Sequence, residues 1–585
     1  MNARPDLWYK NALIYAVDVK SFQDSDGDGI GDLRGMISRL DYLSRLGVTC
    51  LWLLPFYPSP LRDNGYDICD YLTVDARLGT LQDFIELVHR AGELGMRVIT
   101  DLAFNHTSDE HPWFQAARRA RDSRYRHYYV WSNTPPPVLP GGENAFPGTE
   151  RSAWTYDEVA GAYYYHLFYH FQPDLNTANP DVVEEMRRLI HLWTSFGVAG
   201  FRLDAIGPMI DKRTRYLQNS EDPFSILHIM RQAIEERIPD GMLLGEANVS
   251  PAQLVNYFGK SGRLNTLLNF LISQYLFLAL GTEDSAPLTA ALSLIPPAPD
   301  DAQWVNFLRN LDELNLDKLT PEERCLVLQI FAPEPSMQLY QRGIRRRVAT
   351  MLDGDLRRLR MAYSLLFSLR GSPMITYGDE IGMGDDLSLF ERESVRSPMQ
   401  WTAGPGGGFT TAKPECLIRP VIEHGPFGCR KVNVEDQTHD PESLLCWMQR
   451  LMLTRRQHPE IGENQAILET GNRAVFASRS DNRECGLLMA HNLSSEPQQA
   501  ELPLGPLDRS TFSTVLGEAA ADGRGDALRV TLEPYGFVWL SAQRLQADRS
   551  LPAAGETKAS GMPSNGFPSD IHPKGQRPTV KRPVP

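Results

Sequence analysis

Three acidic residues in this chain each close a short apolar run. Asp204 ends Gly200-Phe-Arg-Leu-Asp204, Glu246 ends Leu243-Leu-Gly-Glu246, and Asp312 follows Phe307-Leu-Arg-Asn-Leu-Asp312. Asp101, Asn105 and His106 close a fourth run. One such residue would pass for an ordinary charge beside a loop. Three at strand ends, with Arg202 two residues before Asp204 and so on the same strand face, form a constellation. Paired carboxyl groups suit cleavage of a glycosidic bond with retention: one attacks as nucleophile, the other protonates the leaving oxygen, and the two stand about 5–5.5 Å apart. A cation beside the nucleophile keeps it ionised near neutrality, and Arg202 can supply it.

A second constellation is Asp24-Ser-Asp26-Gly-Asp28-Gly29-Ile-Gly-Asp32. Carboxylates at alternate positions around a glycine-permitted turn are hard-cation chemistry, for Ca²⁺ more than Mg²⁺. The loop is not an EF-hand, because its twelfth position is Gly35 rather than Glu. Its expected ligands are Asp24, Asp26, Asp28, the Ile30 carbonyl and Asp32. The four arginines of Arg342–Arg347 read as a solvated face. The aromatic residues Tyr163–Tyr165, Phe168 and Tyr169 either pack the segment that carries them or stack on sugar rings.

The elements that must position these groups alternate. Leu13–Val19, Val48–Leu54, Val98–Phe104, Gly200–Ala205, Met242–Ala247, Leu267–Leu271, Val305–Arg309 and Pro373–Tyr377 read as strands. Between them the 3.6-residue pattern predicts helices at Asp32–Leu46 (stopped by Gly47), Thr80–Leu94 (capped by Thr80, stopped by Gly95), Val182–Phe196, Ile226–Ile238 and Asp355–Leu369. Eight such units fit an α/β protein built as a (β/α)₈ barrel, whose sites lie at the carboxyl ends of the strands. A doubly wound sheet is the alternative, but no G-x-G-x-x-G follows the first strand. The expected organisation is a barrel over 1–105 and 173–460, an inserted excursion over 106–172 rich in Tyr, Trp, Pro and Gly, and a C-terminal antiparallel β-sandwich over 461–546. The remainder, 547–585, is Pro-, Ser- and Lys/Arg-rich with few large apolar residues, and is expected to be disordered.

The 585 residues hold 59 Lys plus Arg against 73 Asp plus Glu, a net charge of −14. This acidic balance excludes the basic face that a nucleic-acid binder needs. No apolar run is long enough to cross a bilayer, and Met1–Lys10 has no apolar core of a secretory signal. The seven cysteines are scattered and form no C-x-x-C, a pattern that suits a reduced cytoplasm.

Several stretches taken together resemble glycoside hydrolase family 13, the α-amylase family, and most closely its trehalose synthase branch. They include Leu7-Trp-Tyr-Lys-Asn11, Trp52-Leu-Leu-Pro-Phe-Tyr-Pro-Ser-Pro60, Gly65-Tyr-Asp67, Asn105-His-Thr-Ser108, Gln172-Pro-Asp-Leu-Asn176, Arg202-Leu-Asp204, Glu246-Ala-Asn248, Tyr377-Gly-Asp-Glu-Ile-Gly-Met-Gly-Asp385, Arg396-Ser-Pro-Met-Gln-Trp401 and Val432-Asn-Val-Glu435. The resemblance implies Asp204 as nucleophile, Glu246 as general acid/base and Asp312 as the group that grips the sugar hydroxyls. It implies a glucose subsite lined by Asp67, His106, Gln172, Arg202 and Arg396, with Tyr66 stacked on the sugar. It implies a second calcium site holding Asn105 and Asp174, completed by the carbonyls of Pro208 and Met209 and by Asp211 in place of the branch's Glu.

One position departs from the family pattern: Asn-His-Asp reads here Asn310-Leu311-Asp312. Leu311 cannot donate the hydrogen bond that the family's His gives to a sugar hydroxyl. The expectation is an enzyme that interconverts maltose and trehalose. A hydrolase of the α-glucosidase or α-amylase type and a maltooligosaccharide-binding pseudoenzyme stand as alternatives. The expected partners are maltose, trehalose or short maltooligosaccharides.

Overall fold

The computed structural model describes residues 7–544 apart from 137–143, 218–220, 260–261, 482–484, 508–509 and 525. The expected disordered tail, 547–585, lies outside these residues. Eight parallel strands close a barrel: β1 Ile14–Val17, β2 Cys50–Leu53, β3 Arg97–Leu102, β4 Gly200–Leu203, β5 Met242–Gly245, β6 Thr266–Leu268, β7 Gln303–Phe307 and β8 Ser372–Thr376. Each strand pairs with its neighbours in sequence, and Ile14 opposite both Cys50 and Met374 closes the ring. The strands read as continuous apolar runs because both their faces are covered: all four residues of Cys50–Leu53 are buried.

The helices end where their chemistry dictates. Leu81–Glu93 starts in a capping box, Thr80 accepting from the Asp83 backbone N–H while the Asp83 side chain accepts from Thr80. The helix expected over Asp32–Leu46 is two, Leu33–Ser38 and Leu40–Leu46, parted at Arg39 (φ −106°, ψ 3°). There the Arg39 guanidinium stacks on Trp401, its carbon 4.0 Å from the ring centroid. Gly47 ends the second helix in the left-handed conformation, φ 99°.

The excursion after β3 carries a small sheet of Trp131–Ser132, Trp154–Asp157 and Ala162–Tyr165, with the last strand central. Beyond the helix Leu444–Gln457, a five-stranded sheet and a three-stranded sheet enclose an apolar core that includes Leu488, Leu502, Val530 and Leu540. Among the described residues no helix is long and apolar enough to cross a membrane.

The arginine run does not form a solvated face. Arg347 is 1% exposed and donates to the carbonyls of Val395 and Tyr377, Arg346 donates to those of Phe331 and Thr350, and Arg342 to that of Ala145. These guanidinium groups fasten loops and helix ends to one another, because carbonyls there that lack a backbone partner need donors.

Candidate active site

The strand ends deliver the acidic groups to one place. Asp204 and Glu246 follow β4 and β5, and Asp312 follows β7. Arg202, 1% exposed, lies beneath them. Its Nη1 donates to Asp204 Oδ1 at 2.7 Å and to Asp101 Oδ1 at 2.9 Å, and its Nη2 stands 2.8 Å from Glu246 Oε2. One guanidinium therefore holds the nucleophile candidate and the acid candidate together. Ala205, the residue after Asp204, is held at φ 48°, and its N–H donates to Glu246 Oε2 at 3.1 Å. A non-glycine residue in this region is strained, and here the strain aims a donor at the second carboxyl group.

Burial raises the Glu246 carboxyl to about 7 against the pull of Arg202, so it retains a proton near neutrality. Burial also pushes Asp204 upward, opposed by Arg202. Asp312 shows the opposite outcome: burial would raise it, but Arg392, Arg396 and Arg202 together hold it below the usual carboxylate range.

These groups line a cavity of about 350 Å³ together with Asp63, Tyr66, His106, Phe146, Phe168 and Arg392. That volume is at the small end for ligand pockets and suits a short substrate rather than a long chain. His106 is held by an Nε2 contact to the Tyr66 carbonyl at 3.2 Å, and burial lowers its pKa, so the ring is neutral. Tyr66 is fixed by its hydroxyl, which donates to Asp101 Oδ2 at 3.0 Å.

Other expected subsite residues stand behind the cavity wall. Asp67 is fully buried and accepts from Ser59 Oγ at 2.8 Å and from the backbone N–H groups of Arg62 and Asp63. It shapes the loop that presents Asp63, and Asp63, not Asp67, faces the cavity. Gln172 is likewise spent: its Nε2 donates to Asp63 Oδ2 at 2.9 Å. Arg202 underlies the carboxyl groups without lining the cavity, and Arg396 donates through Nε to the Leu311 carbonyl and through Nη2 to Asp312 Oδ1, each within 2.9 Å.

Asp63 and Arg392 escaped the sequence reading. Arg392 Nη1 donates to Asp312 Oδ1 at 3.0 Å and Nη2 to Asp63 Oδ1 at 2.5 Å, tying two loops across the cavity. The available signal was its position four residues before Arg396. Leu311 is 4% exposed and belongs to the apolar core, while Asn310 and Asp312 on either side line the cavity.

The structure does bring Asn105 and Asp174 together, but around a side chain. Lys212 Nζ lies 3.1 Å from both the carbonyl and Oδ1 of Asn105 and 2.6 Å from Asp174 Oδ2. Its ammonium fills the centre a second calcium ion would need, so these residues do not fit that ion. Pro208 and Met209 lie in the first turn of the helix Ile206–Tyr216, where carbonyls are committed along the helix axis. Asp211 lines the active-site cavity instead.

The first cation loop keeps three of its expected ligands in register. Oxygens of Asp24, Asp26 and Asp28 lie within 4.8 Å of one another. Gly27 and Gly29, at φ 81° and 97°, permit the turn. Ile30 continues it, its N–H donating to Asp28 Oδ1 at 2.8 Å. Asp32 is turned elsewhere: its oxygens accept from Ser25 and from the Gly35 N–H, capping the helix Leu33–Ser38.

Comparisons with known proteins match this architecture. The model for the α-amylase catalytic domain covers residues 14–301 and 343–464, and that for the maltogenic amylase C-terminal domain covers 466–539. The trehalose synthase of Thermus thermophilus is 40% identical over 94% of this chain, which spans 57% of that protein's length. The trehalose synthase/amylase of Mycobacterium tuberculosis is 40% identical over 91% of this chain and 90% of its own. The crystal structure of the α-amylase from H. orenii superimposes with a TM-score of 0.73 at 28% identity, covering 91% of this chain and 100% of the other.

Proposed function

Because the chain belongs to the α-amylase family, we propose that it interconverts maltose and trehalose by intramolecular glucosyl transfer. The observation that carries this reading is the Asp204–Glu246 pair on one guanidinium, inside a cavity of about 350 Å³. The non-reducing glucose lies against Asp63, Tyr66, His106 and Arg392. Asp204 attacks its anomeric carbon while Glu246 gives its proton to the glycosidic oxygen, which leaves as the hydroxyl of a free glucose. The glucosyl ester on Asp204 then waits. The freed glucose turns within the cavity, Glu246 takes the proton from its anomeric hydroxyl, and that oxygen displaces Asp204. Asp312, kept ionised by its arginines, accepts from the sugar hydroxyls as the ring flattens. In a hydrolase the same groups act and water replaces the turned glucose, so exclusion of water decides the product.

The loop of Asp24, Asp26 and Asp28 is assigned to one calcium ion, since three carboxylates at this spacing are hard-cation donors. Its role is structural, because the loop stands apart from the residues that line the cavity. A reducing cytoplasmic setting agrees with the six cysteines among the described residues that are free thiols. The test of the activity is incubation with maltose and NMR of the products: trehalose in excess of free glucose supports the isomerase, glucose alone supports a hydrolase, and no turnover supports a binding protein. Asp204→Asn must abolish the conversion, by roughly four orders of magnitude or more, because an amide forms no glycosyl ester.

A further inference from the structure

A short 3₁₀ helix, Glu391–Val395, follows β8 and carries two adjacent charged residues that face in different directions. Arg392 reaches into the cavity, to Asp63 and Asp312. Glu391, 8% exposed, reaches away from it and accepts three hydroxyl hydrogen bonds. Thr149 Oγ1 donates to its Oε1 at 2.8 Å, Tyr340 OH donates to its Oε2 at 2.6 Å, and Tyr169 OH donates to the same Oε2. Thr149 and Tyr169 belong to the excursion, and Tyr340 to the connection between β7 and β8. Three separate segments thus converge on one carboxyl group.

The surroundings indicate that this junction is held under tension. Tyr340, Gln341 and Glu391 all have left-handed backbones, with φ of 52°, 59° and 40°. Non-glycine residues stay in this region only where neighbours over-determine them, and such strain gathers at clamps and switches. Phe146, which lines the cavity, packs between Tyr340 and Arg392: its ring is 4.7 Å from that of Tyr340 and 5.1 Å from the Arg392 guanidinium carbon. The excursion's wall, the arginine that ties Asp63 to Asp312, and the hydroxyl cluster are one continuous contact.

We propose that Glu391 is a positioning residue that couples seating of the excursion over the cavity to the hold of Arg392 on Asp312, and thereby keeps water from the glucosyl intermediate. This coupling matters to the product only if the glucosyl-transfer reading above holds. When the three hydroxyls leave Glu391, Phe146 loses its backing and Arg392 its packing partner. The cavity then opens at its wall and its floor together.

The test uses Tyr340→Phe, Thr149→Val and Glu391→Gln in the full-length protein. Tyr340→Phe and Thr149→Val each delete one donor and keep the side chain's bulk. Each single-donor variant should shift the closed-to-open balance by about fivefold, the usual worth of one such bond. Two readouts follow on maltose: the ratio of free glucose to trehalose rises, and KM rises as Arg392 loosens. Amide hydrogen exchange across 144–172 should accelerate in every variant. Variants that melt at a lower temperature but keep the parental product ratio, KM and exchange would overturn the proposal. If the parent releases only glucose, the isomerase reading fails by itself. KM and hydrogen exchange then still decide whether Glu391 couples the excursion to Arg392.

Discussion

Lys212 Nζ lies 2.6 Å from Asp174 Oδ2, with both side chains almost wholly buried. This ion pair pins the chain to the helix Ile206–Tyr216 just after it returns from the excursion, where the resemblance placed a calcium ion. Removing one member strands the other, and breaking a buried pair costs about 3–5 kcal/mol. Lys212→Met should therefore lower the melting temperature clearly in calorimetry. An unchanged melting temperature would show that the pair contributes nothing to the junction.

Chelation acts elsewhere. With calcium assigned to Asp24, Asp26 and Asp28, a chelator should lower the melting temperature of the parent, and the variant Asp26→Asn/Asp28→Asn should lose that response. Ligand binding to the native state alone stabilises by RT ln(1 + [L]/Kd), so the shift should grow with added calcium. A parent that melts identically with calcium and with chelator would remove the ion from the loop.

Glu246, as the proposed acid, should set the alkaline side of the pH profile. Its carboxyl is raised to about 7, first by burial. In the proposed mechanism the protonated form donates to the leaving oxygen, so kcat/KM should fall as pH rises through about 7. Activity lost only above pH 9 would mean that another group gives the proton.

Leu311→His tests the departure from the family pattern. Leu311 packs in the core while its neighbours line the cavity. A buried imidazole without a partner costs about 1–3 kcal/mol, so the variant should melt lower and gain little in kcat. A tenfold rise in kcat on maltose would show that a donor at this position reaches the sugar.

The barrel was legible because its strands are buried on both faces and leave unbroken apolar runs such as Val48–Leu54. Asp204, Glu246 and Asp312 were legible because they end such runs, and barrel chemistry gathers at those ends. Loop residues carry no period. Asp63 and Asp67 lie on one loop and look equivalent in sequence; Ser59 and two backbone N–H groups decide that Asp67 turns inward, and Asp63 faces the cavity. Arg392 acquires its role only when Asp63 and Asp312, far apart in the chain, close around it. The same holds for most of Arg342–Arg347: the carbonyls of Ala145, Phe331, Tyr377 and Val395 lie far along the chain and leave no local pattern. Lys212 gave no signal, since only the folded chain sets it between Asn105 and Asp174.

Carbon-13-labelled glucose added to a maltose reaction reads intramolecular transfer directly. If the freed glucose turns inside the cavity and never leaves, trehalose formed early in the reaction carries no label, however much labelled glucose is present. Trehalose labelled in proportion to the external pool, or a reaction yielding glucose with no trehalose, would contradict transfer within a closed site.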